Sequence, residues 1–575
     1  MPLNREAQTM ADNAHTLRGI DYKAAFPFVH LFRGFRLAID PSKLVLALGA
    51  LLLLYLGGRA LDAIWPNEHR AGTGEIEAYD RSTGDFSVHR KRAAADRVED
   101  LKSEFLSIGK TEERPTVRKL ISERKRLRDE QITRENDAYS KIADKTPAVR
   151  DEHERQLQRI NATYSAHAER ASSLAGEGLF MHFLTHQVHQ VDALAESAAS
   201  LNLPMAAESL RQFFFVAPAW AITQHPVYFT LLFALLILLM AICGGAITRI
   251  AAVQVARDEK ISVRQALRFS TGKVLSFIFA PLIPIIIILA IAVVLGVLSM
   301  FMSVPYIGGI WSIVIGALFF LALLAGLVMT LTALGLIGGG HLMYPTIAVE
   351  GSDSFDAVSR SFSYMYARPW QLVFYTLVAL VYGAITYLFV RFFIYLLLLL
   401  THGAVGMFMW GNAADGRPLM DTLWPAPPHF MNLSYGINFS ALNGGHSVGA
   451  ALISFWVYLT ISLLGAYAIS LYYSSSTVIY YLMRKEVDAT GMDEVYLEPG
   501  DDEFADAGTA TDAAASSDPA APIDSGTPTS MPASTASSAE SSSPLSSPST
   551  ISSPVVERGP DKLADTLPGS GSTAT

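Results

Sequence analysis

The sequence predicts an all-helical, polytopic membrane protein: about six transmembrane helices, an extracytoplasmic helical domain after the first span and a disordered C-terminal tail. Three observations predict it. Apolar residues make up 51% of the 575 and charged residues only 17%, where a soluble chain carries about a quarter. The charges are segregated, crowding into the first 170 residues and leaving the middle nearly bare. Six apolar runs reach the roughly 20 residues that a helix needs to cross the hydrocarbon core. A net charge of −9 summed over such unlike segments marks no nucleic-acid surface, and no nucleic-acid partner is expected. The single cysteine, Cys243, excludes an intramolecular disulfide and a Cys-based zinc site.

Residues 1–43 read as a cytoplasmic lead-in. Within them 24–39 mixes aromatics with Arg33 and Arg36, which suits either a helix at the membrane interface or a plain juxtamembrane stop of positive charge. The first apolar run, 44–65, starts too far from Met1 for an ordinary cleavable signal and reads as a signal anchor. Residues 67–225 form the charged domain. Val98, Leu101, Phe105 and Ile108 recur at helical spacing, as do Leu157, Ile160 and Tyr164. Pro115 and Pro147 should divide this stretch into three helical pieces. Clean heptads are absent, so a short hairpin or bundle is expected and not a long coiled coil. A further amphipathic stretch covers 180–201, with Phe183, Leu184, Val188, Val191 and Leu194 on one face.

The remaining spans are expected at 227–248, 274–300, 310–337, 370–400 and 449–475. The run 370–410 is long enough for two short spans turning at Arg391, but no Gly, Pro or Asn makes the turn there, so one long span is expected. Lys and Arg fix the orientation. They precede the first span, follow the second (Arg249 to Lys273), lie between the fourth and fifth (Arg360, Arg368) and follow the sixth (Arg484, Lys485). With six spans all these segments share one side, which the positive-inside rule assigns to the cytoplasm together with both termini. The tail 500–575, rich in Ser, Thr, Pro and Ala, is too poor in apolar residues to fold.

A duplication is also legible. Glu259, Gln265, Ala266 and Ser270 align at one constant offset with Glu350, Asp356, Ala357 and Ser361, and Gly244 aligns with Gly335. Each copy reads as a span, an amphipathic helix and a second span. Ser262 and Ser354 are the expected caps. The expected apolar faces are Val263, Ala266 and Leu267 in one copy, and Phe355, Val358 and Phe362 in the other. Lys260, Arg264 and Arg268 form a basic stripe on the first. They either contact anionic lipid headgroups or merely hold the loop inside. Residues 344–372 (YPTIAVEGSDSFDAVSRSFSYMYARPWQL) resemble bacterial membrane proteins of the glycerophosphodiester phosphodiesterase membrane-domain type, through Pro345, Glu350, Ala357, Ser361 and Trp370. The resemblance extends over about 227–485 and implies a membrane-domain fold. Members with an enzyme domain carry it as a separate soluble barrel. The sequence after Lys485 has no room for one, so the activity is not expected to carry over.

Few residues suggest chemistry. His182, His186 and His189 share a helix face at i, i+4, i+7, a spacing that can bind zinc or copper. That face also holds Glu196 and lies opposite the apolar stripe, where a solvated surface belongs, so no metal or other cofactor is expected. Gly445-His446-Ser447-Val448-Gly449 spells the G-x-S-x-G string of serine hydrolases, but that elbow needs a preceding strand, which the sequence does not offer. Arg391 is the one charge well inside a long apolar run and is expected to snorkel to the outer interface. Gly338-Gly339-Gly340-His341 is expected to terminate the fourth span. Apart from Asp62 the spans hold no Asp, Glu or Lys, against the habit of ion-coupled transporters. The expectation is a non-enzymatic, multi-pass protein of the cell (inner) membrane with a structural or partner-binding role. It would meet a protein partner through 67–225 and anionic lipid through its inner helices. The alternative is a transporter or lipid-handling protein built on the duplicated unit.

Overall fold

The computed structural model describes residues 26–497, apart from 66–69, 73, 83–85, 114, 175, 177, 414–415, 438, 440–441 and 443. The expected disordered tail lies outside the described residues. A 3-10 turn (Pro27–Arg33) and a short helix (Gly34–Ala38) come first. The segment packs on later spans: Phe28 meets Phe374, the Tyr382 hydroxyl donates to the Phe32 carbonyl at 3.0 Å, and Ser470 donates to the Ala38 carbonyl at 2.8 Å, while Phe26 and Phe32 stay about half exposed.

Helix α1 (Pro41–Ile64) is the first span; Asp40 caps it through the Ser42 amide at 3.0 Å, with Pro41 preset for the first turn. Beyond it lie α2 (Glu75–Arg81), α3 (Phe86–Ser107), α4 (Val117–Ser140) and α5 (Pro147–Leu174). The prolines act as expected. Pro115 falls in the break before Thr116, whose hydroxyl caps α4, and Pro147 opens α5. Leu101 and Phe105 of α3, Leu120 of α4 and Ala171 of α5 form a small core of their own. Ion pairs link the surrounding residues of this projection, the largely buried Arg124–Glu104 at 2.8 Å and the more exposed Lys119–Glu112 at 2.7 Å among them.

Next, α6 (Leu179–Ser200) turns through Leu201, which holds a left-handed backbone, into α7 (Leu203–Arg211), a π-turn (Gln212–Val216) and α8 (Ala217–Gln224). Five spans follow. These are α9 (Pro226–Arg257), leading through α10 (Val263–Gly272) to α11 (Val274–Met302); then, after the short α12 (Gly308–Ala317), α13 (Phe319–Glu350), leading through α14 (Ser354–Ala367) to α15 (Pro369–Gly406). After a loop holding α16 (Leu419–Leu423), α17 (Gly444–Asp488) is the sixth. Among the described residues six helices are therefore long and apolar enough to cross a membrane. No strand occurs among the described residues, only isolated bridges such as Asn412 with Pro418.

Two expected boundaries are corrected. The run 310–337 is not one helix. It breaks at Leu318, so α12 is separate and the span begins at Phe319. Nor does the glycine triplet end that span: the chain tightens into a 3-10 turn at Gly340–Leu342 and continues helical to Glu350. The region 369–410 does hold one uninterrupted helix of 38 residues, about 57 Å at the helical rise. The core is divided between the two ends of the bundle. One cluster, including Phe269, Phe277, Ile347, Tyr364 and Tyr480, sits at the α10 and α14 end; another, including Ile76, Phe180, Trp220 and Phe229, sits at the base of the projection. Helices α11 and α13 turn most of their Leu, Ile and Val outward, as lipid-facing helices do.

Candidate functional site: the junction between projection and spans

Helix α6 lies across the projection-side ends of the spans as a crossbeam, fixed at two points by carboxylates. At its start the first amides have no intrahelical partner. Asp62, the last acid of α1, supplies one: it accepts from the Phe180 amide at 3.0 Å and the Met181 amide at 3.3 Å. The same carboxylate accepts from the Tyr228 hydroxyl of α9 at 2.7 Å. Gly178 leaves room for this contact, because a Cβ there would clash with the Asp62 carboxylate. About 18 Å further along α6, Asp192 meets Arg391 of α15 at 2.6 Å.

Arg391 does not snorkel into water. It is 1% exposed. Its Nε donates to the Phe430 carbonyl at 2.8 Å, and its Nη2 to the Met431 carbonyl at 2.7 Å and to Asp192. A buried guanidinium needs both charge and hydrogen-bond partners. Here the charge comes from the crossbeam and the carbonyls from the loop before α17. The residue therefore joins three segments far apart in sequence.

The histidine face is also corrected. His182 and His186 are buried, whereas Val188 of the supposed core stripe is 46% exposed. The sequence alone could not show that the facing surface, α2 and α8, is itself polar and aromatic. His182 packs edge-on to Trp220, and His186 Nδ1 lies 3.0 Å from Glu77 Oε1. That hydrogen bond holds the Glu77 carboxyl at about 2, well below the usual carboxylate range. Glu75 takes the Gly72 amide at 2.7 Å and the Trp220 indole at 3.4 Å, with His225 at 3.9 Å. Burial pushes its carboxyl up, but His225, Gly72 and Trp220 outweigh that and hold it low. His189 is exposed and points elsewhere, so the three histidines do not converge. No group of three His, Cys, Asp or Glu able to hold a metal ion occurs among the described residues.

The opposite end of the bundle holds a second polar assembly. Glu350 accepts from Arg360 at 2.6 Å and from the Tyr480 hydroxyl at 2.6 Å, with Arg484 at 3.4 Å. Residues 489–497 fold back over it, and the Tyr496 amide donates to the Val349 carbonyl at 2.7 Å. Arg249 and Lys43, which read in sequence as loop cations, are buried here. Arg249 donates to the Ala348 carbonyl at 2.9 Å over the Phe269 ring, and Lys43 lies 3.4 Å from the Ser474 hydroxyl. The stripe Lys260, Arg264 and Arg268 is exposed, the last two on α10. A full capping box between Ser262 and Gln265 starts that helix. In α14 the cap is Asp353, not Ser354, and Phe355 faces outward.

Ser447 stands in the first turn of α17, its hydroxyl donating to the Leu442 carbonyl at 3.3 Å. No strand among the described residues leads into it, so there the G-x-S-x-G string lacks the context of an elbow. A shallow groove bounded by Ser122, Lys125, Arg126, Asp129, Glu130, Thr133 and Arg134 lies along α4. The chain matches no family model, no curated protein and no solved structure.

Proposed function

We propose that this protein is a non-enzymatic scaffold of the cell (inner) membrane that holds a charged helical surface at a fixed position for a protein partner. The observation that carries this reading is the crossbeam. A helix pinned at Asp62 and at Arg391–Asp192 joins the base of α2 and α8 to α1, α9 and α15, which suits an anchor bearing load from its projection. The cations at the α10 and α14 end support placing that end and both termini in the cytoplasm, with α2–α8 outside. The exposed Lys260, Arg264 and Arg268 suit contact with anionic headgroups, each cation contributing about 1 kcal/mol near the surface.

The alternative, a transporter or lipid-handling protein on a duplicated unit, draws on one observation. Ala266 and Ser270 of α10 and Ala357 and Ser361 of α14 are all buried, each pair on the helix that joins two successive spans. A duplication of that unit, and kinship with the phosphodiesterase membrane domains, would account for the correspondence. One experiment separates the readings: extraction of the full chain into lipid nanodiscs, with mass spectrometry of everything that co-purifies. A stoichiometric protein, lost when 86–174 is replaced by a short linker, is the expected result. A small molecule or lipid retained with no protein would overturn the scaffold reading. In the same samples, replacing Lys260, Arg264 and Arg268 with Gln should lower the retained anionic lipid.

A further inference from the structure

We infer that residues 203–222 form a second membrane contact, an interfacial helix whose leucines and phenylalanines lie among the lipids of the leaflet on the α6 side. Leu203, Ala207, Leu210 and Phe214 recur at i, i+4, i+7 and i+11, one face of a helix, and all four are exposed, Leu203 at 79%. The π-turn Gln212–Val216 inserts an extra residue into the helical winding. The exposed stripe accordingly resumes one position late, at Phe215 and Ile222, while Ala221, where an unbroken helix would have carried it, is buried.

The face of this segment turned toward the protein is already occupied. Val216, Ala217 and Trp220 belong to the core at the base of the projection, and the Gln187 amide of α6 donates to the Phe213 carbonyl at 3.2 Å. Arg211 forks onto Asp80 at 2.9 and 2.6 Å, and Gln212 reaches the same carboxylate at 2.8 Å. What remains is an apolar stripe beside the exposed Glu208 and Arg211. Soluble surfaces seldom carry one of this kind without a covering partner.

Its position says what covers it. The stripe runs directly into the outward face of α9, through Val227, Leu231 and Leu238. Tyr228, hydrogen-bonded to the last acid of α1, marks the level at which two spans end. A helix with one polar face and one of Leu and Phe, set at that level, has the pattern of an interfacial helix. Aromatic side chains concentrate at that depth.

The test uses the full-length chain carrying Cys243→Ser, with a single cysteine introduced as Phe214→Cys, Ile222→Cys or, as a polar-face control, Glu208→Cys. Each is labelled with an environment-sensitive fluorophore and placed in phosphatidylcholine nanodiscs, with and without brominated acyl chains. At positions 214 and 222, brominated lipid should quench and aqueous iodide should not; at 208 the order should reverse. Quenching by iodide at 214 and 222 would overturn the inference. Protection there from both quenchers would overturn it too, because a protein, or a second copy of this chain, would then be the cover.

Discussion

At the scale of single residues, the junction depends on a few buried charges whose partners come from distant parts of the chain. Arg391 and Asp192 are the clearest case. Removing one partner of a buried ion pair leaves the other uncompensated, a loss of about 3–5 kcal/mol, whereas an exposed pair is worth at most about 1 kcal/mol. Asp192→Ala should therefore lower the thermal unfolding midpoint of the purified protein far more than Asp258→Ala, which removes only the exposed partner of Arg33 at 3.2 Å. Equal effects would mean that Arg391 is held by the Phe430 and Met431 carbonyls alone. Asp62 and Arg391 stand out in the sequence as charges in apolar runs, and so they were legible as unusual. Their partners were not. Nothing in the local sequence says that Asp192, on a helix of mixed composition, faces a span about 200 residues later. The burial of His182 and His186 was hidden for the same reason. Helical periodicity names two faces, and the choice between them depends on a surface folded elsewhere in the chain.

At the scale of elements, helix existence and type were largely legible, because hydropathy and proline placement act locally. Errors fell where an element continues past its own composition. A helix crosses Gly338, Gly339 and Gly340 because α14 packs against it there, and glycine allows that approach. A Cβ on Gly339 would lie 2.9 Å from the Ser361 carbonyl oxygen, a backbone atom that moves only if α14 moves. At α10 a Cβ on Gly245 would clash with the Ser270 hydroxyl, so α10 and α14 each rest on a glycine of the preceding span. Gly339→Ala should therefore cost about 1–3 kcal/mol through overpacking. Gly326→Ala, on the same helix but with open space around it, should be neutral or slightly stabilising, since alanine is the better helix former. A thermal melt of the two variants in detergent checks this. An equal midpoint for both would show that the contact between α13 and α14 tolerates displacement.

At the scale of the whole molecule, the six-span topology rests on two independent lines. The first is the count of long apolar helices; the second is which loops share an end. Lys273, before α11, donates to the Gly351 carbonyl after α13 at 2.7 Å, and Arg33 pairs with Asp258 between α9 and α10. Arg368, before α15, stands 3.7 Å from Glu486 near the end of α17. The cations before α1, between α9 and α11, between α13 and α15 and after α17 are thus brought to one end of the bundle by contacts that the positive-inside rule knows nothing about. That rule then gives the end its side: reporters fused after Lys260 or Lys485 should read as cytoplasmic, and those after Gln224 or Asn443 as external. With Lys260 and Lys485 cytoplasmic, a cytoplasmic signal after Asn443 would mean that α17 and one of α11, α13 and α15 do not cross the bilayer, and the six-span topology would fall. The side of the projection is read separately, by the reporter after Gln224, because α9 alone lies between that residue and Lys260.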